Sequence, residues 1–147
     1  HVLRAEKGYI IVGQETDGSV TPIDLDMNWI VSKKKYDFIG KRALNRSDTV
    51  KENRKQLVGI LTVDPSIVLE EGSQLVEVET SLPMPMVGHI TSSYYSPNLG
   101  RSIALALVKS GTKKKGTKLI VPTVNKSIEV EITSPVFIDP ENERLFA

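Results

Sequence analysis

The sequence predicts a mainly β protein, an antiparallel barrel of about six strands preceded by a small α+β segment. Three observations carry this. After residue 56 the chain falls into six short strand-like runs, Leu57–Val63, Gln74–Thr80, Val87–Tyr95, Ile103–Val108, Lys118–Val124 and Ser127–Thr133. Chain breakers part them: Asp64-Pro65, Glu71-Gly72, Pro83 and Pro85, Ser96-Pro97-Asn98, and Ser110-Gly111. The alternation is cleanest at Ile128-Glu129-Val130-Glu131-Ile132, with three apolar side chains on one face and two carboxylates on the other. Short strands in such a series favour a closed or sandwiched sheet.

The elements before residue 57 are less regular. Leu3-Arg4-Ala5-Glu6-Lys7 are good helix formers, and Gly8 stands where the residue after a helix end belongs. The chain opens on His1 without an initiator Met, and the opening reads as the last turn of a helix, so a fragment of a longer protein is expected. Tyr9-Ile10-Ile11-Val12-Gly13 is a short β-branched run, followed by a polar turn through Glu15, Asp17, Gly18 and Ser19 to Pro22. Residues 24–35 hold Leu25, Met27, Trp29, Ile30 and Val31, and their pattern fits strand and helix alike. Asp37-Phe38-Ile39-Gly40 with Lys41-Arg42-Ala43-Leu44 looks like a short helix with Asp37 as one possible cap. Asn45–Gln56 is polar and is read as a boundary, giving one unit over residues 1–49 and a second over 50–147.

Composition narrows the chemistry. The 147 residues carry 19 Lys+Arg, 18 Asp+Glu, two His and no Cys, for a formal net charge of +1. Without Cys there is no disulfide, thiolate zinc site, Fe–S cluster or cysteine nucleophile, and two His cannot build a His-rich metal site. This fits a reducing compartment such as the cytoplasm. The near-neutral balance gives no bulk-charge argument for nucleic acid or an anionic membrane, and no run of 18 apolar residues exists. No P-loop, GxGxxG, HExxH or Ser-His-Asp pattern is present, so the chain is expected to carry no catalytic residues and no metal site of its own.

Individual features have competing readings. The triplets Lys33–Lys35 and Lys113–Lys115 are best taken as solvated faces, the second as a hairpin loop between Gly111 and Gly116. The alternatives are that Lys33–Lys35 draws in an anionic ligand tail, or that both triplets serve single-strand binding by a small barrel. Glu129 and Glu131 on one outer face serve solubility, and His89 has a structural role with no evident partner. Arg4 can fork onto a carboxylate or amide-like edge, and Tyr9 and Trp29 can offer flat faces to a planar heterocycle. The competing reading is that a small domain's only Trp is core.

The order of Leu3-Arg4-Ala5-Glu6-Lys7-Gly8-Tyr9, Gly13, Glu15, Asp17, Thr21-Pro22, Trp29 and Asp37-Phe38-Ile39-Gly40-Lys41-Arg42-Ala43-Leu44 resembles the folate-dependent aminomethyltransferase family, typified by the glycine-cleavage T-protein. Val58-Gly59, Gly88-His89-Ile90-Thr91-Ser92, Ser96-Pro97 and Ile103–Val108 agree. Within it, residues 6–18 and 93–102 look most like the branch formed by α subunits of heterotetrameric sarcosine oxidases. The resemblance implies that residues 1–49 complete a tetrahydrofolate-binding domain and that residues 50–147 are the family's C-terminal β-barrel. It implies a parent that demethylates sarcosine to glycine and hydrogen peroxide at a flavin in another subunit. The one-carbon unit would be trapped as 5,10-methylenetetrahydrofolate, with NAD bound elsewhere in the α subunit and this chain inactive alone. Its partners would be tetrahydrofolate and the other oxidase subunits, with no nucleic acid and no membrane. Arg4, Tyr9 and Trp29 match the family's folate-lining positions. Asp26 and Asn28 depart from it, standing where Gly is usual. The family's catalytic aspartate and folate-binding glutamate lie upstream of this chain, and of its C-terminal folate contacts only Arg144 is nearby. A T-protein or dimethylglycine dehydrogenase tail and a non-catalytic subunit-docking barrel are the alternatives.

Overall fold

The computed structural model describes residues 1–78 and 81–146. Six antiparallel strands form one sheet: β1 (Lys55–Thr62), β2 (Gln74–Leu75), β3 (Gly88–Ser96), β4 (Arg101–Lys109), β5 (Lys118–Pro122) and β6 (Ser127–Thr133). Their spatial order is β2-β3-β4-β1-β6-β5. Val76, just past β2, exchanges two 2.9 Å backbone hydrogen bonds with Ile120 of β5, so the outermost strands meet and the sheet closes. Closure removes the free edges that an open six-stranded sheet would expose. All six expected strands are present. Of the second, Glu79 and Thr80 lie outside the described residues, and regular pairing is limited to Gln74 and Leu75. Ser110–Thr117 connects β4 to β5, which are not neighbours, so the Lys113–Lys115 stretch lies in a crossover, at the end of a 3-10 helix (Gly111–Lys114), and not in a hairpin loop.

The interior is apolar, with Val58, Ile60, Ile90, Ala106, Val108, Leu119, Val121, Val130 and Ile132 in one buried cluster. Glu129 and Glu131 point outward from β6, as the alternation requires. At about 25 cal/mol per Å² of apolar surface, this interior is the main driving force for folding the barrel.

A second, smaller cluster lies on the outer face. Leu57, Leu105 and Leu107 pack there against Leu25, with Ile10, Val20, Met27 and Phe137 around them. Strands β1 and β4 are therefore covered on both faces, outside by residues 1–27 and by a strap running through residues 134–142. Gly8 and Gly59 let the strap approach. A Cβ on Gly59 would lie 2.1 Å from the Ser134 carbonyl oxygen, and one on Gly8 would lie 2.6 Å from that of Pro135.

The helix α1 (Val2–Glu6) ends as its sequence suggests. Gly8 sits at φ 69, its amide bonds the Ala5 carbonyl at 3.0 Å, and Tyr9's bonds that of Arg4 at 2.8 Å, a Schellman end. Other expectations for this region are corrected. Residues 9–13 make only a bridge from Val12 to Thr16, and residues 28–30 form a 3-10 turn. Residues 38–45 are turns leading to a 3-10 helix at Ala43–Asn45 without a side-chain cap. Asp37 accepts from the adjacent Phe38 amide at 2.9 Å, which holds a turn and does not start a helix. None of residues 28–53 is buried, so nothing packs them into a longer helix.

Candidate functional site

One irregularity in β3 organises the polar surface of the barrel. Its pairing to β4 shifts register between Ile90 and Ser92. A bulge of one residue reverses which face each later side chain takes. His89 faces outward before the bulge, and Ser92, Tyr94 and Ser96 face outward after it, toward residues 1–20.

Three carboxylates are buried in a polar seam between the N-terminal segment and the outer side of the barrel. Glu15 is fully buried; it accepts from the Ile11 amide at 2.7 Å, the Ser92 hydroxyl at 2.7 Å and the Arg4 guanidinium at 3.3 Å. Burial pushes its carboxyl up, but the Ile11 amide, the Ser92 hydroxyl and Arg4 together hold it below the usual 4.5. Glu6 accepts from Ser96 at 2.5 Å and from Asn98. Asp24 is held by Thr21 and, at 2.5 Å, by Arg54. Its carboxyl is raised by burial and lowered more by Arg54 and Thr21, ending below 3.8.

The three residues expected to line a ligand divide into two places. Tyr9 and Trp29 come together: both line a cleft of ≈ 370 Å³ with Lys7, Leu25, Met27 and Pro135. They are 58% and 79% exposed, which overturns the core reading of the only Trp. Arg4 lies in the seam instead. Its guanidinium donates to Glu15, to Ser92 at 2.5 Å and to Tyr94 at 3.3 Å, and sits 5.7 Å from the Tyr94 ring centre. Arg4 reaches the cleft through the backbone, donating to the Tyr9 carbonyl at 3.1 Å.

The loop that carries Trp29 explains the departure at position 26. Asp26 takes φ 59, a left-handed conformation that Gly adopts freely and Asp tolerates. The other wall of the cleft is the 134–142 strap, pinned by Lys7, whose ammonium donates to the Asp139 carbonyl at 2.6 Å and to Asn142 Oδ1 at 2.8 Å. Arg144 lines an adjoining hollow with Lys7 and Tyr9.

Sequence reasoning missed Lys55, which lies 3.3 Å from His89 Nδ1 and gives that histidine a partner. It also missed Asp24 and Arg54. The outward direction of His89 depends on strand phase, and nothing in the string marks the bulge that turns Ser92 to the same face.

Comparison with known proteins adds the following. Residues 55–139 match the profile of the glycine cleavage T-protein C-terminal barrel domain. The chain is 51% identical to sarcosine oxidase subunit alpha of Corynebacterium sp. (strain P-1). It is 38% identical to the protein of that name from Rhizobium meliloti (strain 1021). Each alignment covers 98% of this chain but only 15% of the relative. The fold matches that of the glycine cleavage system aminomethyltransferase T from Bartonella henselae, with a TM-score of 0.78 and 24% identity, over 93% of this chain and 37% of that one. Among the described residues, no helix is long and apolar enough to cross a membrane.

Proposed function

The chain belongs to the glycine cleavage T-protein C-terminal barrel family, and from that premise we propose that it works as part of a sarcosine oxidase α subunit and contributes one wall of a tetrahydrofolate site. In this reading residues 50–147 are the barrel and residues 1–49 complete the folate domain. The parent converts sarcosine to glycine and hydrogen peroxide, and the one-carbon unit passes to tetrahydrofolate as 5,10-methylenetetrahydrofolate. The oxidation belongs to flavin in another subunit, and NAD to another part of the α subunit. The 51% identity to an α subunit against 24% to an aminomethyltransferase T favours the oxidase over a T-protein tail.

The observation that carries the folate reading is the pairing of Tyr9 and Trp29, two largely exposed aromatic rings on one cleft. Flat, exposed rings suit a pterin, which binds by stacking and by its amide-like edge. Asp26 and Asn142 offer polar groups on the same cleft. Bound tetrahydrofolate would supply the amines that accept the one-carbon unit. Tyr9 and Trp29 cover the ring and exclude water, and Met27 and Leu25 form the apolar floor. Arg4 acts as a positioning residue, since both its terminal nitrogens donate to Glu15, Ser92 and the Tyr9 carbonyl. Exposed Ile30, Tyr36 and Ile39 are then surface that the remainder of the folate domain covers.

The 147-residue chain titrated with tetrahydrofolate tests this, because Trp29 is its only tryptophan. Weak quenching is expected, with neither sarcosine oxidation nor methylenetetrahydrofolate formation. Submicromolar quenching, or turnover, would contradict a partial site.

A further inference from the structure

The strap wall of the Tyr9–Trp29 cleft ends in a turn that is tied to the molecule at one point. Earlier in the strap the backbone does the holding: the Phe137 and Ile138 amides both donate to the Glu6 carbonyl, at 2.8 and 3.0 Å. Residues 139–142 instead close on themselves. The Asn142 amide donates to the Asp139 carbonyl at 3.1 Å, and the Glu143 amide donates to Asp139 Oδ1 at 2.8 Å. Among the described residues, every hydrogen bond between this turn and residues 1–138 comes from one side chain. The Lys7 ammonium donates to the Asp139 carbonyl, to Asn142 Oδ1 and, at 3.5 Å, to Asp139 Oδ2.

The two residues that Lys7 grips are also the two held in an unfavourable backbone. Asp139 takes φ 50 and Asn142 φ 59, left-handed conformations that few residues other than glycine adopt. Such conformations persist where surrounding contacts over-determine them, and they gather at ligand clamps. The Lys7 and Asp139 side chains are only 23% and 11% exposed, and charge-assisted bonds of this kind are roughly twice as strong as neutral ones. The turn borders the cleft directly: Pro140 and Asn142 line it, and Lys7, Tyr9 and Asn142 are shared with the adjoining hollow. Lys7 follows α1 at once and precedes Tyr9 by two residues, so one ammonium joins the segment that carries the Tyr9 ring to the strap. We infer that Lys7 is a positioning residue for tetrahydrofolate: by latching the 139–142 turn it sets the width of the cleft, and so how tightly the ligand is held. This rests on the tetrahydrofolate reading of the cleft. Affinity at a site whose wall is in place only part of the time falls in proportion to that fraction.

Hydrogen exchange on the 147-residue chain tests the latch, and the assembled oxidase tests its use. In Lys7→Met the Asn142 and Glu143 amides exchange about tenfold faster or more, from the loss of hydrogen bonds to a charged group. The Phe137 and Ile138 amides, bonded to Glu6, keep the parent rates and report an intact fold. In oxidase assembled from an α subunit of its relatives' length that carries this chain, Lys7→Met raises the half-saturating tetrahydrofolate concentration for methylenetetrahydrofolate formation about tenfold. Excess tetrahydrofolate restores the yield. Lys7→Arg, whose guanidinium can donate to the same oxygens, stays close to the parent in both measurements. Asn142→Gly removes one acceptor while easing the φ 59 backbone; it acts in the same direction and decides the matter if Lys7→Met does not fold. Unchanged exchange at Asn142 and Glu143, an unchanged half-saturating concentration, or a lost yield that excess tetrahydrofolate does not restore overturns the inference. A parent assembly that forms no methylenetetrahydrofolate refutes the proposed function itself, whereas normal trapping with no effect of Lys7→Met refutes the positioning role alone.

Discussion

The barrel interior and the seam on its outer face hold together by opposite means. The interior is apolar, and its residues need only be hydrophobic and of the right volume. The seam buries Glu6, Glu15 and Asp24, each answered by named donors on another part of the chain. A buried charge that keeps its partners costs little, whereas one that loses them is among the most expensive defects a protein carries. The interior should thus degrade gradually under mutation and the seam abruptly. The seam also carries function in the proposed reading, because Arg4 links Glu15 to the backbone of Tyr9.

The contrast is broken most directly at Glu15. Glu15→Leu leaves the Arg4 guanidinium, 14% exposed, without its carboxylate, and a loss of about 3–5 kcal/mol is expected by denaturant unfolding. Arg4→Met with Glu15→Leu should recover much of that loss. If the double variant is as unstable as the single one, the ion pair is not the unit that matters. In the interior, Ile60→Ala should cost about 2–4 kcal/mol from lost transfer energy and the cavity left behind, with no partner able to restore it. Gly59→Ala tests the strap: the new methyl meets the Ser134 carbonyl, so about 1–3 kcal/mol is expected, with faster proteolysis near residues 134–142.

Acid sharpens the contrast further. Glu15 and Asp24 have folded-state carboxyls below their ordinary 4.5 and 3.8. A group lowered on folding contributes stability that is complete above its unfolded value and is lost as pH falls through the folded one. Unfolding free energy should therefore begin to fall near pH 4.5 and drop further below pH 4. Glu15→Gln and Asp24→Asn should flatten that slope, while Ile60→Ala should shift the curve without changing its shape. The smallest effect is expected at the exposed Lys118–Glu129 pair on the barrel surface, where Lys118→Ala should leave the midpoint unchanged.

The barrel was legible in the sequence because its signal is local. Alternation over Ile128–Ile132 and the breakers after Val63, Tyr95 and Val108 survive without tertiary context. The seam was not legible, because Glu15, Ser92 and Arg4 come together across 88 residues of chain and only after the β3 bulge turns Ser92 outward. Residues 28–45 misled for another reason: Asp37 and the run to Leu44 have helix-like composition, but no apolar face is buried to hold a helix. The aromatic pair was half legible. Tyr9 and Trp29 do line one cleft, while Arg4, expected beside them, turns into the seam.

The proposed function rests on that aromatic cleft, and product partition tests it most directly. An α subunit of its relatives' length that carries this chain, assembled into active oxidase, should be compared with its Trp29→Leu and Tyr9→Leu variants for sarcosine-dependent hydrogen peroxide and for 5,10-methylenetetrahydrofolate. Unchanged peroxide with most of the methylenetetrahydrofolate replaced by free formaldehyde is the predicted result. Both variants trapping the one-carbon unit as well as the parent would contradict it.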